Sequence, residues 1–230
     1  MKIIPAFIAT VVFSVLPLAA QSIVGSWFIH RGPASQSDAV LSFLPNGTYV
    51  MAEDGDRDID PSGMDGMERG TYKWDAATKA FSSKTLVDTT GEWGLSHANI
   101  KSISVTAEQI TLGGAGGVVL AKITSPTKKL VGSWYLKEGG GYAVATFLAD
   151  GSYFMVQDGM PTGGGKTGIE RGTYQWNTST KAFTRKVLLD TNGTWGFSDN
   201  SKATILISGN RLTLKPVGGG NFTLSRVIAP

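Results

Sequence analysis

Glu68 and Glu170 are the side chains of this chain best placed to do chemistry, because each opens a nearly identical heptapeptide. The two read Glu68-Arg69-Gly70-Thr71-Tyr72-Lys73-Trp74 and Glu170-Arg171-Gly172-Thr173-Tyr174-Gln175-Trp176. Strand alternation sends Glu68, Gly70, Tyr72 and Trp74 to one face and Arg69, Thr71 and Lys73 to the other. With the Trp face inside a barrel, each copy presents a carboxylate between two aromatic walls, Glu68 with Tyr72 and Trp74, and Glu170 with Tyr174 and Trp176. Such a set is a grip for the polar group of a small ligand. The favoured reading of the same pattern is plainer: a barrel filled by its own aromatics, with Glu at a strand mouth or paired to a basic neighbour. About eight strands leave an interior only just wide enough for side chains or one small ligand.

Asp54, Asp56, Asp58 and Asp60 form a second candidate constellation, since oxygen ligands at alternate positions of a Gly-containing loop suit Ca²⁺. The match is imperfect: Ile59 stands where an EF-hand loop needs Gly, Asp65 stands at the twelfth position, and the second copy keeps only Asp158. A solvated acidic loop is the favoured reading, with calcium the minority one and no other cofactor expected. His30 and His97 have no His counterparts in the other copy, no Cys exists to serve as a nucleophile, and no Gly-x-Ser-x-Gly elbow occurs. These absences argue against an enzyme.

The heptapeptides are the start of a longer duplication. From Glu68 to Gly94 and from Glu170 to Gly196 the copies agree at 17 of 27 positions without a gap, so the chain is one unit used twice. The units run over residues 21–125 and 126–230, after a segment 1–20 that reads as a secretory signal: Met1-Lys2, an apolar run from Ile3, and a small-residue end at Leu18-Ala19-Ala20. Pro5 and Pro17 interrupt that run and argue against a membrane span. Export to the periplasm or the exterior follows, and without cysteines stability has to come from burial of apolar surface.

Each unit alternates short apolar runs with turn residues. Ile23 to Phe28 and Leu130 to Tyr135 read as first strands, while Asn46-Gly47 and Asp150-Gly151 between apolar runs mark hairpins. Strands follow through Tyr72 and Trp74, from Ala80 to Val87, at Trp93, and at Ile100 to Val105, Gln109 to Leu112 and Val118 to Ile123. The second unit repeats the order. Sustained helical periodicity is missing outside the signal, so the pattern predicts an all-β protein of two tandem antiparallel meander β-barrels of about eight strands each, with β-sandwiches as the alternative.

Gly25-Ser26-Trp27 and Gly132-Ser133-Trp134, each opening a first strand, resemble the Gly-x-Trp signature of the lipocalin and calycin group. In that group a basic residue on the last strand lies across this Trp, and Arg226 and Lys122 stand where it is expected. The units are shorter than a lipocalin and lack its second motif. The resemblance implies a lipocalin-like barrel in each unit.

Charge is unevenly shared. Residues 21–125 carry eight Lys/Arg against twelve Asp/Glu, a net −4, and residues 126–230 carry twelve against six, a net +6. The overall basic balance therefore conceals an acidic unit and a basic one, and nucleic acid is not the expected partner. The expected function is a secreted, non-enzymatic binding or interaction protein, holding a small apolar or amphipathic ligand or contacting another protein. A structural or adhesive surface module with solid barrels is the rival. Opposite charge on the units and a linker of a few residues also predict that they dock on each other.

Overall fold

The computed structural model describes residues 21–30, 38–55, 62–125, 127–160, 165–198 and 202–229. The expected signal and Asp56, Asp58 and Asp60 lie outside them. The described residues form strands and no helix. In the first unit these are β1 (Gly25–His30), β2 (Asp38–Phe43), β3 (Thr48–Asp54), β4 (Gly66–Trp74), β5 (Phe81–Asp88), β6 (Ile103–Val105), β7 (Gln109–Leu112) and β8 (Val118–Lys122). The second unit has β9 (Gly132–Glu138), β10 (Gly141–Phe147), β11 (Ser152–Asp158), β12 (Gly168–Trp176), β13 (Ala182–Asp190), β14 (Ala203–Ser208), β15 (Arg211–Pro216) and β16 (Phe222–Arg226).

Every pairing is antiparallel between sequence neighbours, apart from the return of the last strand to the first. Strands β9 to β16 close into a barrel, and β1 to β8 form one curled sheet with β5 and β6 at its edges. Those edges come together at a single bridge, Ala80 with Ser102, with Phe81 N donating to Lys101 O at 2.8 Å and Ile103 N to Lys79 O at 3.0 Å. The matching seam of the second unit pairs Ala182 with Thr204 and Phe183 with Ala203. One sheet rolled on itself thus replaces the two facing sheets of the sandwich alternative. Trp93 is not in a strand: the chain there makes one bridge, Gly63 with Gly91, and then turns.

Inside each unit lies an apolar core. Trp27, Leu41, Phe43, Tyr49 and Phe81 occupy the first, and Trp134, Phe147, Tyr153, Phe183 and Phe197 the second. Each first-strand Trp is fully buried, with the last-strand cation over its ring: Arg226 at 3.9 Å from the Trp134 centroid and Lys122 at 5.6 Å from that of Trp27. Arg226 also donates to Val131 O at 2.9 Å and to Lys129 O, tying the barrel end to the segment that enters it.

A third core joins the units. Val40, Leu44, Val50, Ala52 and Met67 on the outer face of β2 to β4 meet Val144, Leu148, Phe154, Val156 and Ile169 on the outer face of β10 to β12. These are matching positions of the two repeats, so the contact is a self-complementary one of approximate two-fold character, met more often between identical subunits. Strands buried on both faces read as nearly continuous apolar runs, which is why residues 39–43 and 153–156 carry so few polar side chains.

Candidate functional site

The two glutamates sit on β4 and β12 at the inner face, both fully buried. Glu170 accepts from Tyr153 OH at 2.5 Å through Oε1 and from Phe197 N at 2.8 Å through Oε2. Glu68 accepts from Tyr49 OH through Oε1 and from Ser96 N at 2.8 Å through Oε2. Each carboxylate therefore holds a tyrosine of the neighbouring strand on one side and pins the loop after the 91 or 193 glycine over the barrel mouth on the other. Burial raises the carboxyl of Glu170 to about 7 against the help of those two donors, with Asp190 raising it further and Arg185 lowering it. Burial and then the Glu170 charge hold the Tyr153 phenol far above its ordinary range.

Other positions of the heptapeptide divide the remaining work. Arg69 and Arg171 point outward and cross to the other unit: Arg69 Nε lies 2.5 Å from Asp158 Oδ2, and Arg171 binds Asp38 Oδ2 at 2.9 Å and Asp54 Oδ2. Gly172 sits at a register shift of β12 on β13, where an added Cβ would stand 2.1 Å from Lys186 O and 2.7 Å from Tyr153 Cε1. Only glycine lets the Tyr153 ring lie across the strand to reach Glu170. Tyr72 and Tyr174 donate to Leu44 O and Leu148 O at 2.9 and 2.8 Å, and burial pushes each phenol up to about 12. Trp74 and Trp176 donate to Ile103 O and Ile205 O at 2.9 and 3.1 Å, stapling β4 to β6 and β12 to β14 across the seams.

A cavity of about 140 Å³ lies inside the second barrel. Its wall is apolar and includes Leu136, Ala145, Met155, Trp195, Phe222 and Leu224, with Arg185 and Gly196 at the edge where Glu170 is held. Glu170 adjoins the cavity through Gly196: a Cβ there would stand 2.7 Å from Glu170 Oε2 and 3.7 Å from Met155 Cγ. At φ +97° that position suits glycine on conformational grounds as well. Tyr174 and Trp176 lie elsewhere, in an open groove of about 630 Å³ beside Lys128, Lys129 and Asp150. The structure thus separates the expected trio: the carboxylate is buried beside Gly196 and does not itself line the cavity, and the two aromatics are at the other end of the strand. Trp195, one of the cavity's walls, has a counterpart in Trp93 with a different packing, since added Cβ atoms on Gly55 or Gly63 would run into the Trp93 ring.

Sequence reasoning missed Gln157 and Asn192. Both are buried in the second unit, and Gln157 Oε1 and both side-chain polar atoms of Asn192 have no hydrogen-bond partner in the protein. Gln157 could have been found by alternation, two residues beyond the inward Met155; Asn192 lies in a turn, where Asn is too common to stand out.

Of the acidic run, Asp54 faces Arg171, and burial raises its carboxyl despite that cation. No group of three or more His, Asp or Glu side chains suited to a metal ion occurs among the described residues. His97 lies 3.5 Å from Asp88 on the exposed rim. Compared with protein-family models, curated proteins and solved structures, the chain matches none.

Proposed function

We propose that this is an exported, non-enzymatic binding protein of lipocalin-like build, whose second barrel holds one small apolar or amphipathic molecule. The cavity of about 140 Å³ carries the proposal. An apolar void of roughly 150 Å³ stays dry and accepts a molecule of the size of benzene, so the natural occupant is about one ring in size. The last-strand cations over Trp27 and Trp134 support the lipocalin-like build. Neither glutamate has the surroundings of a catalyst: both oxygens of Glu170 already accept hydrogen bonds, and its nearest side-chain partner is a phenol held protonated.

Toluene titrated into the full chain tests the reading by calorimetry. Binding with a Kd of roughly micromolar to millimolar is expected. Ala145→Leu, which fills the cavity from its wall, abolishes it while leaving the protein folded. Toluene that fails to bind the parent protein, or binds the Ala145→Leu variant equally well, would overturn the proposal.

A further inference from the structure

The open groove beside Trp176 is built from three segments of the second unit: the entry into β9, the β10–β11 turn and the β12–β13 turn. At about 630 Å³ it has the size of a pocket for a molecule of about two or three rings, and it shares no lining residue with the apolar cavity. Its aromatic wall is Trp176, half-buried, with the indole nitrogen already tied to Ile205 O. Lys181 Nζ lies over that ring, 6.0 Å from its centroid, and donates to Thr178 O. Lys128 and Lys129 join it from the entry segment, Lys128 Nζ donating to Ala149 O. Three ammonium groups thus line the groove against one carboxylate, Asp150, a net +2. Among the described residues none of the three lysines forms an ion pair.

The matching groove of the first unit is smaller, about 310 Å³, and its charged lining residues, Lys73 and Asp75, cancel. There the turn lysine meets neutral acceptors: Lys79 Nζ donates to Gln21 Oε1 at 2.8 Å and to Ala76 O at 2.7 Å. Aligning Ile23-Val24-Gly25 on Leu130-Val131-Gly132 puts Lys128 in the place of Gln21 and Lys129 in that of Ser22, and the repeat sets Asn177 where Asp75 stands. These three changes gather positive charge around one aromatic face in the second unit only. Two others, Gln175 for Lys73 and Asp150 for Asn46, set a neutral amide and an acceptor beside it. Lysines brought together in this way repel one another, and an anion in the groove relieves the repulsion.

We propose that this groove binds an acidic oligosaccharide, with its uronate carboxylates facing Lys128, Lys129 and Lys181, a sugar ring against Trp176, and hydroxyls bonded to Asp150 and Gln175. Ammonium groups only donate, and an ionised carboxylate only accepts. A ligand that answers both must carry anionic oxygens and O–H donors together, as a sugar acid does on every ring. A chain of anionic groups alone answers the lysines and meets repulsion at Asp150. The C–H face of the sugar ring covers the indole and takes apolar surface out of water on both sides. Hydroxyls that find no protein partner stay hydrated in an open groove, whereas the enclosed cavity would strip them of water.

Trigalacturonate, maltotriose, tri-aspartate and trithymidylate, titrated separately into the full chain by calorimetry at low salt, test the site. Trigalacturonate is expected to bind with a Kd of roughly micromolar to millimolar, and the other three at least about tenfold more weakly. Two variants locate the site. Lys128→Gln restores the residue of the first unit. Lys181→Gly removes the ammonium at a position of φ +65°, a conformation that glycine adopts readily, so the turn is kept. Each should weaken trigalacturonate about two- to fivefold, as the loss of one exposed ion pair does. Lys128→Gln, made at an exposed side chain, serves alone should Lys181→Gly fail to fold. Trigalacturonate that does not bind the parent protein, or binds both variants as tightly as the parent, overturns the site. Maltotriose of equal affinity shows that charge plays no part, and tri-aspartate or trithymidylate of equal affinity makes the groove a general anion surface; either result overturns the saccharide assignment. None of these outcomes touches the cavity reading, which toluene decides separately.

Discussion

At the scale of the residue, Glu170 shows how far one buried carboxylate shapes both stability and site. Its carboxyl is raised from an ordinary 4.5 to about 7, chiefly by burial. A folded-state value above the unfolded one means that the native protein holds the proton more tightly. The stabilisation is complete below about 4.5 and is lost as pH rises through about 7. A tenfold difference in proton affinity between the two states is worth about 1.4 kcal/mol, so on the order of 3 kcal/mol is at stake. Glu170→Gln keeps an acceptor and removes the titration, and the difference between parent and variant urea midpoints should grow from pH 4.5 to 7 and then level off. A difference that stays constant over that window would show that Glu170 is not held in this state. The inward aim of Glu170 was legible in the alternation of Glu, Gly, Tyr and Trp. Its partners were not, because Tyr153 comes from another strand and Phe197 N from a loop, and neither is near it in sequence. Asn192 was illegible for a different reason: a turn Asn already has a local explanation, and only three-dimensional placement reveals that its amide is unmet.

At the scale of the element, the repeat heptapeptide reads as one strand doing four jobs at once. Glu holds the loop, Arg reaches the other unit, Gly admits the tyrosine ring, and Tyr and Trp tie the strand end to backbone carbonyls. The alternation and turn residues made the strand order readable along most of the chain, since hairpin turns at Asn46-Gly47 and Asp150-Gly151 are set by local chemistry. Trp93 misled because an aromatic between turn residues resembles a short strand, whereas its ring is placed by Gly55 and Gly63. Barrel closure was the part least visible, since it depends on where the last strand returns. Trp134 sits at that point, fully buried, paired in register with Arg226 on β16 and donating to Leu130 O at 2.9 Å. Trp134→Ala is expected to cost about 3–5 kcal/mol as a large-to-small change in a closed core, read as a lower urea midpoint. An unmoved midpoint would mean that the barrel end is held without it.

At the scale of the whole molecule, the two units meet through a face that a lone barrel would have made polar. Matching apolar positions on β2 to β4 and β10 to β12 supply its centre, and the arginines of the heptapeptide supply its edges. The charge split between units suggested docking by opposite fields, but the ion pairs found at the contact run in both directions. Arg69 of the acidic unit binds Asp158, and Arg171 of the basic unit binds Asp38 and Asp54. Geometry matters here more than net charge, and partly enclosed pairs are screened weakly. Removing one partner of a buried pair typically costs about 3–5 kcal/mol. The Arg171 side chain keeps 28 % of its exposure, which reduces the figure to about 2–3 kcal/mol for Arg171→Met. Adding Asp38→Asn and Asp54→Asn to that variant should restore much of the loss, since no carboxylate is then deprived of the guanidinium. Raising salt to about 1 M should change the parent protein little, because screening reaches mainly exposed charge. Urea unfolding of the parent, the single variant and the triple variant at low and high salt measures all three. A cost for Arg171→Met that vanishes in high salt would mark the pair as an exposed one, and a triple variant no better than the single would show that the arginine acts through its guanidinium over the Phe154 ring, 5.6 Å from the centroid, rather than through the two carboxylates.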